Sequence, residues 1–183
     1  MIAELVRKNR SYRRFRESEP VSLATLRELV DLARLSGSAR NMQPLRYVIS
    51  CDTETNAAIF PSLAWAGYLT DWPGPAEGER PAAYIVILVE KGQGQAAAVD
   101  EGLAMQNILL GAVERGLGGC MLGSVDRGKV RTILNIPEEY DIRHVIALGV
   151  PAETVVLDEV GPDGDIKYWR DVESVHHVPK RRL

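Results

Sequence analysis

The first third of the chain carries apolar residues at helical spacing, and this pattern predicts two helices. A short helix covers residues 2–8. A longer one begins after Ser22, whose hydroxyl can cap the first turn, and ends at Gly37. Its apolar face consists of Leu23, Leu26, Leu29, Val30 and Ala33.

Apolar runs between polar segments predict the strands and two further helices. Residues 83–89 are apolar throughout, which is typical of a central strand buried on both faces. The polar residues 52–56 indicate the start of one helix, and Asp126 caps another that runs to about residue 134. The other predicted strands are 45–51, 117–122 and 141–150, and a turn at Asp163-Gly164 precedes 166–169.

Residues 96–115 form the longest predicted helix, which is apolar around most of its circumference. Its polar stripe consists of Asp100, Asn107 and Glu114, flanked by Glu101, Gln106 and Arg115. Such a helix must be buried on several sides, and a partner subunit is a natural cover in so short a chain. Because helices and strands follow one another without strict βαβ alternation, the sequence predicts an α+β fold with helices on a central sheet.

Composition narrows the class of protein. The 183 residues suffice for one well-packed domain over 1–183, and the net charge of −3 argues against a nucleic-acid partner. Without a hydrophobic signal region or a run of membrane-spanning length, the chain is expected to be cytoplasmic. Cys51 and Cys120 are predicted to be small buried thiols rather than disulfide or metal ligands.

Positive charge is concentrated at the two ends of the chain. The first 16 residues contain Arg7, Lys8, Arg10, Arg13, Arg14 and Arg16, and the last positions include Lys180, Arg181 and Arg182. The Arg10-Ser11-Tyr12-Arg13 segment offers guanidinium groups and a hydroxyl, which suit a polyanion or an electron-rich heterocycle. The alternatives are a solvated basic turn at one end and a frayed terminus at the other.

Two more segments could contact a ligand, one through polar side chains and the other through its backbone. Asn41 and Gln43 lie in a loop before a strand, where their amides suit the edge of a planar ring, unless the loop is an ordinary turn. The Gly-rich segment 116–124 allows a flat ligand to approach the backbone, or else serves tight packing. It lacks both the dinucleotide fingerprint and the P-loop pattern.

Side chains for acid–base or metal chemistry are scarce. The sequence has no Gly-x-Ser-x-Gly and no His-Glu-x-x-His, and it contains three histidines. The adjacent His176 and His177 would point to opposite faces of a strand, which disfavours a shared metal site. We therefore assign no catalytic side chain and expect a cofactor to supply the chemistry.

Together these segments resemble the FMN-dependent nitroreductase family in order and spacing. Arg10-Ser11-Tyr12-Arg13-Arg14-Phe15 is similar to its Arg-Ser-x-Arg-x-Phe element, and Ser38-x-x-Asn41-x-Gln43-Pro44 to its second flavin-contacting loop. The long helix before 116–118, the strand at 146–151 and the basic segment 178–181 complete the resemblance. It implies a homodimer with FMN at the subunit interface and a central mixed, mainly antiparallel sheet flanked by helices.

The resemblance also implies residue roles. Arg10, Ser11, Lys180 and Arg181 would hold the FMN phosphate and ribityl chain, although Asn9 replaces one of two basic residues common before the serine. Arg13 would face the pyrimidine end of the ring. The ring or ribityl edge would meet Asn41, Gln43 and the backbone of Leu122, Gly123 and Ser124. The irregular segment 60–82 is expected to be a flap or to border the pocket. Its aromatics Trp65, Tyr68 and Trp72 would meet substrate, unless they are core or interface aromatics.

The implied activity is electron transfer from NAD(P)H through bound FMN to a nitroaromatic, a quinone or another flavin. Two alternatives stay open at the level of sequence. One is a flavin-binding protein without turnover, acting in storage or sensing. The other is an interaction domain whose basic ends are solvated.

Overall fold

The computed structural model describes the backbone of residues 1–183 and all side chains except those of residues 94–96. The helices are α1 (Ile2–Lys8), α2 (Leu23–Arg34), α3 (Thr53–Ile59), α4 (Gly94–Glu114) and α5 (Arg127–Leu134). The strands are β1 (Leu45–Ser50), β2 (Ala83–Glu90), β3 (Gly118–Leu122), β4 (Tyr140–Gly149), β5 (Val155–Glu159), β6 (Trp169–Arg170) and β7 (His176–Lys180). Short 3₁₀ turns occupy Ala39–Asn41 and Phe60–Ser62.

Side-chain caps begin three helices at the predicted positions. Ser22 accepts a hydrogen bond from the backbone N–H of Thr25 at 3.0 Å. Asp52 and Asp126 accept the equivalent bonds at the start of α3 and α5. Because each cap satisfies a donor that the helix leaves unpaired, the sequence alone identifies these starts.

The predicted end of α2 at Gly37 is wrong by three residues. The helix ends at Arg34, and the Ser36 N–H bonds to the carbonyl of Ala33 in a tightened last turn. The side-chain amide of Asn107, on α4, donates to Ser36 Oγ at 2.8 Å. This contact ties Ser36, which lies just beyond the end of the helix, to α4.

The central sheet has the strand order β1-β2-β4-β3, and all neighbouring strands are antiparallel. Strand β2 is an inner strand and is buried from 83 to 89, as predicted. One face of the sheet packs on α2 and α4, while the other packs on α3, α5 and the segment after α3. The α+β prediction is confirmed.

A second sheet has the strand order β5-β7-β6 and includes a parallel pair of strands. Strand β5 pairs with β7 in parallel, and β6 pairs with β7 antiparallel. The sequence pattern did not predict β5 or β7. Of the predicted strand at 166–169, only Trp169 lies in a strand, β6. Gly164 adopts a positive φ of 72°, in agreement with the predicted turn.

Two residues of the polar stripe of α4, Asp100 and Asn107, bond to neighbouring segments of the chain, while Glu114 is exposed. Asp100 accepts hydrogen bonds from the Ser38 hydroxyl and the Ala39 N–H, and Asn107 binds Ser36. The apolar Val99 and Leu103 are instead 70% and 46% exposed. The helix therefore leaves an apolar strip uncovered within one chain.

The irregular segment 60–82 is anchored near its start by backbone and core contacts. Leu63 bridges Val125, and the Ala64 N–H donates to the Ser124 carbonyl at 3.0 Å. The indole of Trp65 is buried in the core against Gly74.

None of the helices in the described chain has the length and apolarity needed to cross a bilayer.

Candidate functional site

The two basic ends of the chain meet at one cavity of about 260 Å³, called the basic cavity below. Its walls are formed by Asn9, Arg10, Ser11, Arg13, Gln106, Leu109, Met121, Tyr168, His176, Val178 and Lys180. Four predicted cofactor contacts, Arg10, Ser11, Arg13 and Lys180, therefore share one site. Arg181 is exposed outside these walls, and Arg182 pairs with Glu159 at 2.6 Å.

Backbone pairing with β3 fixes the N-terminal wall of the basic cavity. Ser11 forms a parallel bridge with Gly119, and the Tyr12 N–H donates to the Gly119 carbonyl at 3.0 Å. A Cβ on Gly118 would lie 2.5 Å from Cδ2 of Tyr12, closer than atoms can approach. This part of the Gly-rich segment thus serves tight packing of the N-terminal segment on β3.

Arg13 is held by several buried groups. Its Nη1 lies 3.2 Å from the Ser11 carbonyl and 3.2 Å from Nε2 of His176, and its guanidinium lies over the Tyr168 ring. Its backbone N–H donates to the carboxylate of Glu153. These contacts fix a positive charge at the wall of the cavity.

Glu153 joins the N-terminal segment to the second sheet. Its side chain is 0% exposed, and it accepts hydrogen bonds from the backbone N–H groups of Arg13 and Arg14. Arg170 donates Nη2 to the same carboxylate at 2.8 Å. No pattern in the sequence indicates this role, since a lone Glu after a strand is ordinarily solvated.

Three buried nitrogen atoms around the basic cavity are unpaired. Nε of Arg10, Nε of Arg13 and Nδ1 of His176 are inaccessible to solvent and have no hydrogen-bond partner among the described residues. An unpaired buried polar group costs about 1–3 kcal/mol. A ligand rich in acceptor oxygens would remove this cost, so the site is suited to an anion.

The Asn41-Gln43 loop lies at another cavity. Ser38 donates its hydroxyl to Asp100 at 2.6 Å, and Gln43 lines a cavity of about 320 Å³ between α2, α4 and β1. Asn41 and Gln43 are exposed and adopt positive φ values of 56° and 48°. Within one chain these two amides are not brought to the basic cavity.

The turn after β3 also lies outside the basic cavity. Leu122 is buried at the end of the strand, and Gly123 and Ser124 are exposed. The Gly123 carbonyl accepts a hydrogen bond from Nη2 of Arg127 at 3.1 Å, which fixes the turn. The predicted backbone contacts at 122–124 are therefore available at the surface.

The predicted substrate aromatics divide into two groups. Tyr68 and Trp72 line an open cavity of about 720 Å³, together with Arg14, Trp169 and Arg170. The Tyr68 ring contacts that of Tyr168, which belongs to the basic cavity, with centroids 4.9 Å apart. Trp65 belongs to the core and lines neither cavity, which agrees with the structural alternative for that residue.

The two histidines of β7 face in opposite directions, as predicted for neighbours on a strand. His176 is buried beside Arg13 and Tyr168. His177 stacks on Trp169, with Nδ1 2.8 Å from Asp158 and Nε2 3.3 Å from Asp171. Among the described residues, no cluster of His, Cys, Asp and Glu has the arrangement of a metal site.

Stability is expected to fall at alkaline pH through His177. Burial would lower the pKa of His177, but the hydrogen bonds to Asp158 and Asp171 outweigh it and raise the pKa above its ordinary value. The protonated form is therefore stabilised in the folded chain, and this contribution is lost as pH rises above about 6.5 and through the raised pKa. In urea unfolding at pH 6 to 9, His177→Gln should flatten the decline, whereas an unchanged slope would contradict the assignment.

The cysteines are both free. Cys120 is buried, and burial raises the pKa of its thiol, so it is an unreactive packing residue. Cys51 is partly exposed, and the prediction of full burial is wrong for that residue.

Residues 6–150 match the model of the nitroreductase family. A protein of Thermus thermophilus named NADH dehydrogenase is 29% identical in an alignment of 191 positions, which covers 89% of this chain and 93% of that protein.

Solved structures share the fold. A nitroreductase family protein from Streptococcus pneumoniae superposes with a TM-score of 0.72 at 18% identity, over 89% of this chain and 96% of that one. An FMN-dependent nitroreductase from Clostridium difficile gives a TM-score of 0.66 at 23% identity, over 84% and 88% of the respective chains.

Proposed function

Because the chain belongs to the nitroreductase family, we propose that it is an FMN-dependent oxidoreductase. It takes electrons from NAD(P)H and passes them to a small acceptor such as a nitroaromatic, a quinone or another flavin. The observation that carries the proposal is the basic cavity, where both ends of the chain supply cations around unpaired donors. The name NADH dehydrogenase, given to the Thermus relative, supports a nicotinamide as the electron donor. The name FMN-dependent nitroreductase, given to the Clostridium difficile structure, supports FMN as the cofactor.

The residues of the basic cavity fit the phosphate end of FMN. A phosphate monoester carries a charge of about −1.5 to −2 and three strong acceptor oxygens. Arg10 and Lys180 provide positive charge, Ser11 provides a hydroxyl, and the unpaired nitrogens provide donors. The volume of about 260 Å³ is below the roughly 300–1,000 Å³ of sites that enclose a whole ligand, so the ring would extend beyond it.

Bound FMN would supply the hydride and electron chemistry that the side chains lack. In this proposal Arg10, Ser11, Lys180 and Arg181 bind the phosphate and ribityl chain. Arg13 lies at the pyrimidine end, where its fixed charge stabilises negative charge on the reduced ring. Asn41, Gln43 and the backbone of Leu122, Gly123 and Ser124 orient the ring, and Tyr68 and Trp72 border the acceptor.

The proposed active form is a homodimer. Val99 and Leu103 leave an apolar strip of α4 exposed, and Met121 of the basic cavity is 44% exposed. A second copy would cover this apolar strip. It would also allow an Asn41-Gln43 loop, which does not line the basic cavity of its own chain, to reach the ring held by the partner.

The visible spectrum of the purified protein tests the cofactor, with mass spectrometry of the compound released by heat. FMN is the expected result, and FAD, haem or no cofactor after incubation with FMN would overturn the proposal. Bleaching by NADH or NADPH without oxygen, followed by reoxidation with an acceptor, tests turnover. Bound FMN that neither nicotinamide bleaches would favour storage or sensing instead.

Replacing Tyr68 by alanine should weaken acceptor binding while the FMN is retained. An aromatic ring contact contributes about 0.5–1.5 kcal/mol, so KM for a nitroaromatic should rise about 2- to 10-fold. Steady-state kinetics and an FMN titration measure the two effects. Val172→Ala, at an exposed position that lines neither cavity, is the control. Equal KM values for both variants would remove Tyr68 from the acceptor site.

A further inference from the structure

We infer that His176 is a further phosphate-binding residue of the basic cavity and acts as a neutral hydrogen-bond donor through Nδ1. The inference rests on the proposed function, because it places the phosphate of a flavin in this cavity. His176 was not among the residues that the family resemblance identified. Its position at the wall comes from the pairing of β7 with β5 and β6.

The neighbour of His176 determines its tautomer. Nε2 of the imidazole lies 3.2 Å from Nη1 of Arg13. A guanidinium only donates hydrogen bonds, so Nε2 must be the acceptor of this contact. The proton of the neutral ring is therefore on Nδ1, which becomes a donor.

That donor has no acceptor within the described chain. The side chain is 1% exposed, and Nδ1 is buried without a hydrogen-bond partner. Water cannot solvate the N–H, so it gains fully from an acceptor delivered by a ligand. The ring lines the same cavity as Arg10, Ser11 and Lys180, where the phosphate oxygens are proposed to lie.

The surrounding charges keep the ring neutral in the free protein. Burial, with Arg13, Arg170 and His177 as further causes, lowers the pKa of His176 to about 4. Tyr168 contacts the ring without adding charge, and the carboxylate of Glu153 is occupied by Arg170 and the backbone of Arg13 and Arg14. At neutral pH the cavity thus combines the fixed charges of Arg10 and Lys180 with a neutral, oriented donor.

Two amide variants, His176→Asn and His176→Gln, separate the two ring nitrogens. Asparagine places its NH₂ near the position of Nδ1, while glutamine reaches the position of Nε2 and can still accept from Arg13. Binding of FMN and of riboflavin, which lacks the phosphate, is measured by quenching of flavin fluorescence. Circular dichroism and melting temperatures check that both variants fold.

We expect His176→Gln to weaken FMN binding about 10- to 100-fold, because the variant loses a hydrogen bond to a charged group. His176→Asn should retain most of the FMN affinity, and riboflavin binding should be equal in all three proteins. Nitrogen NMR of the labelled wild-type protein should show the Nδ1–H tautomer, identified by the signal that disappears in the variants.

Three results would overturn the inference. Unchanged FMN affinity in both variants would show that the ring does not contact the ligand. Equal losses for FMN and riboflavin would indicate a purely structural role. If the wild-type protein bound riboflavin and FMN with equal affinity, the phosphate would not be bound in this cavity. If the wild-type protein binds neither flavin, the proposed function itself fails, and this outcome is distinct from the first three.

Discussion

Replacing Arg10 by alanine is expected to weaken FMN binding about 10- to 100-fold, because a hydrogen bond to a charged group contributes about 1.5–3 kcal/mol. Arg10 lines the basic cavity, and its buried Nε has no partner within the described chain. Its Nη2 donates to the Val6 carbonyl at 2.8 Å, which orients the guanidinium from α1. Equilibrium titration with FMN and with riboflavin measures the loss, which should be larger for FMN.

Arg16→Ala is the matched control for Arg10→Ala. Arg16 belongs to the same basic segment, and its replacement removes the same charge, but it is 62% exposed, pairs with Glu19 and lies outside the cavity walls. Arg10→Lys, which keeps the charge and loses the planar fork, should fall between the wild type and Arg10→Ala. If Arg10→Ala and Arg16→Ala had the same FMN affinity, the phosphate would not be bound by Arg10.

Replacing Glu153 by alanine should cause the largest loss of stability, about 3–5 kcal/mol, because it leaves buried charge and backbone donors without an acceptor. The carboxylate binds two N–H groups of the N-terminal segment and the guanidinium of Arg170, which is 13% exposed. The free energy of unfolding in urea measures the effect. A chain of this size should lose about 2–4 °C of melting temperature per kcal/mol.

Two further variants make the Glu153 result interpretable. Glu153→Gln keeps an acceptor oxygen and should be less destabilising, which provides a folded protein if the alanine variant does not accumulate. Glu159→Ala removes the exposed carboxylate that pairs with Arg182, and a surface pair of this kind contributes about 0–1 kcal/mol. A loss at Glu153 no greater than that at Glu159 would contradict the buried anchoring role.

Local signals in the sequence were sufficient for the helices and the central sheet. The capping side chains of Ser22, Asp52 and Asp126 act on N–H groups three residues away, so their effect is visible in a short window. The unbroken apolar run of β2 likewise indicates burial on both faces. The family match over residues 6–150 confirms the resemblance that rested on the order of the motifs.

Contacts between segments that are far apart in sequence could not be predicted from local signals. Strand β7 ends in Lys180 amid basic residues that are ordinarily solvated. Its pairing with β5 and β6 brings His176 to a buried position beside Arg13 and Tyr168. The role of Glu153 was hidden for a similar reason, because its partners Arg13 and Arg14 are 140 and 139 residues away in sequence. Trp65 was ambiguous because an irregular Gly- and Pro-rich segment has no periodicity to show which side chain enters the core.

The separation of the two cavity walls along the chain determines when the basic cavity can form during folding. Arg13 and His176, which meet there, are 163 residues apart in sequence. Contacts of such separation carry the loop-closure cost of nearly the whole chain and are made only once the intervening structure exists. Local structure in α2 or α3 can form much earlier. Flavin colour retained after refolding would therefore report that the chain has closed end to end, which recovery of helical signal does not.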